Sequence, residues 1–192
     1  ADTARIGQLL RMAEADFRNW QMDSMAAHSE RASTYAEELI ARKLSTEERR
    51  IALRMKARSL DLIGRSGTGA AELKSLIEAK ELMQDLGDEK AVAHMDEGIA
   101  SWYDRNGKYA ESIRHYRTIL AWYKAQGDEQ SAAEELNVIG VVYRKSGAYG
   151  AAIECHLEAL PVFERGGDPA EIAWTNIVIG AVYRAQREPR KS

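Results

Sequence analysis

The sequence predicts an all-α fold: a right-handed α-α superhelix, or solenoid, of antiparallel helix pairs with about nine helices. Three observations predict it. Gly87-Asp88-Glu89, Gly127-Asp128-Glu129 and Gly167-Asp168-Pro169 recur every forty residues. Gly67, Gly107 and Gly147 hold the same interval halfway between them, and so do Ile63, Tyr103, Tyr143 and Tyr183. Between the glycines, apolar residues return at spacings of three and four, as in Ile99, Trp102, Tyr103 and Ile113, Tyr116, Ile119, Leu120. That spacing marks one buried face of a helix, and a fixed period of this length marks a stack of repeated supersecondary units.

Each element follows from its ends. Helices are expected over residues 4–20, 24–43, 46–65, 69–86, 89–105, 108–126, 129–146, 148–165 and 169–186. Ser45 with Glu48 has the spacing of a capping box, which starts the third helix. Glycine near a helix end takes the left-handed conformation at little cost, so both glycine rows end helices. The aspartates after the second row cap the next helix by accepting a free backbone N–H. Asp168 with Glu171 repeats the capping-box spacing, and Pro169 falls at the first helical position, where its missing N–H costs nothing. Pro161 dissents, because inside a helix it removes a backbone bond and is expected to kink it.

With 192 residues, 45% of them hydrophobic and 30% charged, the chain is too apolar for general disorder. The formal charge of −3, with both signs interleaved, fits solvated helix faces and argues against a nucleic-acid surface. No stretch reaches the roughly 20 apolar residues of a membrane span. Cys155 stands alone, so no internal disulfide forms. The start at Ala1 and the basic end, Arg187 to Ser192, suggest a fragment of a larger parent; the compartment, cytoplasm or periplasm, stays open.

The unit from Leu136 resembles the tetratricopeptide repeat through Ile139-Gly140, Tyr143, Gly147, Tyr149, Ala152, His156 and Ala159-Leu160. The preceding unit matches through Ile99-Ala100, Tyr103, Gly107, Tyr109, Ser112, Tyr116 and Ile119-Leu120. A weaker copy runs through Leu60, Ile63, Gly67, Leu73, Leu76 and Ala79. The resemblance implies one array: a diverged helix pair over 1–44, repeat units over 45–87, 88–127 and 128–167, and a lone final helix over 168–187. Small residues such as Gly140, Gly180 and Ala152 are expected to let paired helices approach closely. Glu164 replaces the proline that usually closes the second helix, and the units have forty rather than thirty-four residues. In that, and in the cadence from His156 to Asp168, the chain is similar to input domains of bacterial signalling proteins: diguanylate and adenylate cyclases and histidine kinases.

Nothing in the sequence assembles a catalytic site. Gly64-Arg65-Ser66-Gly67-Thr68-Gly69 lacks the lysine-serine pair of a phosphate loop and reads as an inter-helix turn. The four histidines form no zinc-protease pair, and a zinc site wants about four donors. His156 stands at a core aromatic position and is expected to be packed and hydrogen-bonded. No cofactor or metal is expected.

The family resemblance implies a ligand surface on the first helix of each pair, lining the concave side. Transferred along the period, its positions give His94, Glu97 and Ser101, then Glu134, Asn137, Val141, Arg144 and Lys145, then Trp174, Ile177 and Arg184. An amide such as Asn137 can bond a peptide backbone through donor and acceptor together. Arg144, Lys145 and Arg184 suit an acidic group, and Trp174 with Ile177 an apolar anchor. The earlier unit has Ala57 and Asp61 at the clamp positions of chaperone-binding members, which departs from that pattern. The expected function is a non-catalytic protein- or peptide-binding module. The alternatives are an input domain regulating an enzyme in the same parent chain, and a scaffold that self-associates through an open end of the array.

Overall fold

The computed structural model describes residues 2–167 and 169–187. In order the helices are α1 (Asp2–Arg18), α2 (Met22–Ile40), α3 (Thr46–Arg65), α4 (Ala70–Asp85), α5 (Glu89–Arg105), α6 (Tyr109–Gln126), α7 (Glu129–Ser146), α8 (Tyr149–Gly166) and α9 (Pro169–Arg187). No strand occurs among the described residues. The expected elements are all present, each end within three residues of its predicted place.

The glycine row explains the punctuation. Gly87, Gly107, Gly127, Gly147 and Gly167 all have φ between 68° and 86°. At the first four of these, the glycine N–H bonds the carbonyl three residues back. The next N–H bonds the carbonyl five back, as in Gly107 to Asp104 and Lys108 to Tyr103. This closure satisfies two helix-end carbonyls and needs a left-handed residue at its pivot. Gly67 departs from the row: α3 ends through Ser66, and Gly67 has no positive φ. The diverged first pair has no glycine at its turn, and Trp20 takes φ 59° there instead.

The starts also behave as expected. Ser45 and Glu48 form the reciprocal capping box. Asp88 accepts from Ala91 N at 3.2 Å and Asp128 from Ser131 N at 3.0 Å. The Asp168 half of the predicted box lies outside the described residues.

Two compact units emerge, Ala1–Trp102 and Tyr103–Ser192. In the first, α1, α2 and α3 bury Ile6, Leu10, Met25, Ala32, Ala36 and Ala52 together, while Ala57, Leu60, Ala79, Met83 and Met95 form a second cluster. Close approach depends on small residues here. A Cβ at Gly64 would overlap Leu76 of α4, and one at Gly98 would stand 2.8 Å from Leu76 Cδ2. In the second unit Ala133, Leu136, Ala159 and Phe163 make the core of α7 and α8.

Gly140 of α7 lies against the His156 ring of α8, where a Cβ would come within 2.6 Å of Cε1. Ala152 is fully buried. Gly180 does not follow: it is exposed on α9, with nothing within 4 Å of a Cβ placed there. The same position in α7 is covered by the following helix, and no described helix follows α9. Pro161 is exposed, and α8 continues through it to Gly166.

Candidate functional site

The first unit holds a cleft of about 510 Å³ on the first-helix side of the stack. Leu62 of α3, Met83 of α4, and Ala91 and Met95 of α5 make an apolar floor, and Phe17 at the end of α1 closes one side. The charges stand around this floor. Arg54, Arg58, Asp61 and Arg65 follow one another at spacings of four, three and four along α3, which keeps them on one helical face. Lys90 and His94 face them from the first turns of α5, with Asp88 at its cap.

At one end of the cleft an ionic cluster, built around the buried Asp61, joins α3 to α5. Arg65 Nε donates to Asp61 Oδ1 at 2.8 Å, and its Nη2 donates to the His94 carbonyl at 3.1 Å. His94 Nε2 lies 3.5 Å from Asp61 Oδ2, and His94 Nδ1 lies 3.3 Å from Glu97 Oε2. The hydrogen bond to Asp61, then that to Glu97, raises the His94 pKa to about 9, so the ring is a cation at neutral pH. Burial opposes the charge on Asp61, yet His94 and Arg65 hold its pKa below the usual carboxylate value. Gly98 leaves room for this crossing, since a Cβ there would stand 3.2 Å from Asp61 Oδ1.

The remaining cations are nearer to water. Arg58 Nε bonds Glu14 at 2.7 Å, leaving both terminal nitrogens of its guanidinium without a partner among the described residues. Arg54 Nη2 lies 3.4 Å from Asp88. Lys90 is exposed and forms no ion pair among the described residues. The sequence pointed to His94 and Glu97 in this neighbourhood, and both are exposed here. Ser101 is half-buried, one turn further along α5. Arg58, Lys90 and Phe17 were missed. For Arg58 the visible signal was the stripe on α3.

The second unit presents its expected residues differently. Asn137 is 2% exposed and lies inside the core. Its Nδ2 donates to Thr175 Oγ1 at 2.8 Å, and its Oδ1 accepts from His156 Nδ1 at 2.8 Å. Side chains of α8 and α9 therefore consume the amide that was expected to meet a ligand. With its proton on Nδ1, His156 has a lone pair at Nε2, which finds no partner among the described residues. Burial first, and the Arg144 charge second, lowers the His156 pKa to about 4. The expected packed imidazole is present.

Of the other positions, Glu134 is exposed beside Gln130, while Val141 and Arg144 are half-buried. Lys145 pairs with Asp104 at 2.5 Å. Trp174 meets the His156 ring edge-on at 6.4 Å and stays 41% exposed. Ile177 is 65% exposed, and Arg184 is exposed. A smaller cleft of about 370 Å³ lies over Ala132, Ala133, Leu136 and Val162, flanked by the ion pairs Lys124–Glu158 and Arg165–Glu129. Among the described residues no three His, Cys, Asp or Glu side chains gather as a metal site would need. No helix there is long and apolar enough to cross a membrane.

The family model of the tetratricopeptide repeat matches residues 91–165. No curated protein matches the chain in sequence. Among solved structures, BtubC (BKLC) from P. vanneervenii is 22% identical, with a TM-score of 0.63 over 96% of this chain and 84% of that one. The TPR-like repeats of a putative kinesin light chain from Podosopora anserina give 15% identity and a TM-score of 0.71, covering 96% and 89%. Aspartyl phosphate phosphatase F from Bacillus subtilis gives 11% identity and a TM-score of 0.70, covering 96% of this chain and 48% of that one. At these identities the likeness concerns the fold. Helix pairs ended by a periodic left-handed glycine, a small residue against a core ring, and the sequence match lead to one conclusion: residues 91–165 are tetratricopeptide repeat sequence, set in a chain whose fold is that of tetratricopeptide-like repeat structures.

Proposed function

We propose that this chain is a non-catalytic protein- or peptide-binding module, working through the face formed by the first helices of its pairs. The observation that carries the reading is the cleft between α3 and α5, which combines an apolar floor with a charged rim. Binding sites for flexible partners need both, since buried apolar contact supplies affinity and a few placed polar groups fix orientation. The repeat architecture supports it as well, because stacked pairs offer extended surfaces.

Photo-cross-linking in extracts of the source cell tests this. A cross-linking residue at position 58, in the cleft, should capture a discrete protein. The same residue at position 81, exposed on α4, should not. Equal capture at both positions, or none at 58, would count against the module.

A second reading, a regulatory domain within a larger bacterial signalling protein, draws support from the phosphatase, where a comparable fold makes up 48% of the chain. The sequence of the parent gene separates the two: cyclase or kinase motifs beside this region would favour regulation. A self-association scaffold draws on the exposed Trp174, Ile177 and Tyr183 of α9. Light scattering that stays monomeric at all concentrations would remove it.

A further inference from the structure

We infer that two copies of this chain dock through a knob and a slot: Trp20, at the α1–α2 turn of one copy, enters the cleft of α6, α7 and α8 in the other. The contact lies apart from the α3–α5 cleft and from α9, so it stands independently of the readings above.

The knob is strained and uncovered at once. The α1–α2 turn closes by the same two bonds as the glycine turns, Trp20 N–H to Phe17 O at 3.1 Å and Gln21 N–H to Asp16 O at 2.9 Å. Its pivot is nevertheless a tryptophan at φ 59°, where the other turns of this kind have Gly87, Gly107, Gly127 and Gly147. A bulky side chain is strained in that conformation, and glycine is not. Packing does not compensate, because Trp20 is 81% exposed and its indole N–H has no partner among the described residues. A contact that buries the ring offsets both disadvantages, and local strain of this kind gathers at functional positions.

The slot is a place where the repeat carries an indole elsewhere. The cleft of about 370 Å³ is built by the ends of the second helices α6 and α8 and by the first turns of α7. Buried Ala132, Ala133 and Leu136 floor it, and half-buried Val162 forms one wall. Forty residues before Val162 the period has Trp122, whose ring nitrogen is buried. The smaller valine leaves an apolar recess at that position. None of these residues is among the first-helix positions that the family resemblance makes contacts.

Charge selects the occupant. The rim carries two exposed ion pairs, Lys124–Glu158 at 2.9 Å and Arg165–Glu129 at 2.8 Å, so it has no net charge. The knob matches it, with exposed Arg18 before Trp20 and exposed Asp23 after it. Exposed pairs of this sort exchange partners at little cost. An anionic lipid surface would want a basic surround at the knob, and Trp20 does not have one. Because knob and slot are different surfaces, the contact is heterologous, closing into a ring or running on as an open chain.

The test is sedimentation of the whole chain over a range of concentrations, with two variants. Trp20→Ala removes the knob and keeps the slot. Val162→Trp fills the slot with the residue that the period has at position 122, and keeps the knob. The unaltered chain should grow heavier with concentration. Each variant alone should associate about thirtyfold more weakly, the scale of a lost tryptophan hot spot. Mixed in equal amounts, the two should regain a one-to-one dimer, which also shows that both fold. In addition, a photo-cross-linking residue at position 19, which leaves Trp20 in place, should join the second copy within residues 124–165.

An unaltered chain that stays monomeric would overturn the inference. Variants that associate like the unaltered chain would also overturn it, and would leave α9 as the seat of self-association. A mixture that stays monomeric although both variants melt normally would do the same. Cross-links to another segment, or none, would overturn it whatever the variants do, as would capture of a foreign protein in place of the chain itself in cell extract.

Discussion

The two units solve the same packing problem with opposite chemistry, and their histidines show the difference. His94, in the first unit, is exposed and held as a cation between Asp61 and Glu97. His156, in the second, is fully buried, bonded to Asn137, and kept neutral first by burial and then by the Arg144 charge. The first arrangement keeps paired ions at the edge of an open cleft. The second uses its polar groups on one another: Thr175, Asn137 and His156 form a buried chain across α9, α7 and α8. One repeat period thus carries either an ionic rim that can meet a partner or a neutral core that fixes helix register. Burial decides which, since a buried polar group must be paired while an exposed ion is free to exchange partners.

The largest effect that could break this comparison belongs to the core. Gly140→Leu should destabilise the protein by ~3 kcal/mol, because the new side chain collides with His156 and overpacking a tight contact costs that much. Gly180→Ala should instead leave stability unchanged or raise it by up to about 1 kcal/mol, the helix-propensity gain at a site with open space. Urea unfolding of both variants checks the pair; a reversed ranking would mean that the helix faces are misassigned.

Next comes the buried chain itself. Asn137→Ala leaves the His156 Nδ1–H and the Thr175 hydroxyl without their partner, and should cost about 1–3 kcal/mol in the same assay.

The pH dependence should then run in opposite directions. His94 binds its proton more tightly folded, near 9, than at its ordinary 6.5. Its contribution is therefore complete below pH 6.5 and is lost as pH rises through 9. His156, lowered to about 4, resists a proton that the unfolded chain accepts below 6.5. Stability should therefore fall as pH drops from 6.5 towards 4. Unfolding midpoints over this range should lose the alkaline slope in His94→Gln and the acid slope in His156→Gln. Slopes left intact in both variants would contradict the assignment.

Arg144→Ala should have the smallest effect on stability, within about 0.5 kcal/mol for a side chain that reaches solvent. Because its charge opposes protonation of His156, the variant should raise the His156 pKa in an NMR titration. An unmoved value would place Arg144 too far away to matter.

The helices were legible because their signals are local. A glycine every forty residues, a capping box and an apolar stripe each act within a turn or two of chain. Gly67 misled because α3 closes through Ser66 before reaching it. The ligand surface was only half legible, since whether a helix position faces water depends on which side chains the next helices bring. Asn137 sits at a position that the family resemblance makes a contact residue, yet α8 and α9 supply His156 and Thr175 to cover it. The ionic cluster joins residues about thirty apart in sequence through space that Gly98 leaves open. No local pattern encodes that.

Amide chemical-shift mapping with the binding segment of the protein captured at position 58 tests the central claim most directly. The largest changes are expected around Arg54, Arg58, Lys90 and His94, with the amides near Asn137 and His156 nearly still. Changes concentrated in α7 and α9, with α3 and the start of α5 silent, would contradict the account.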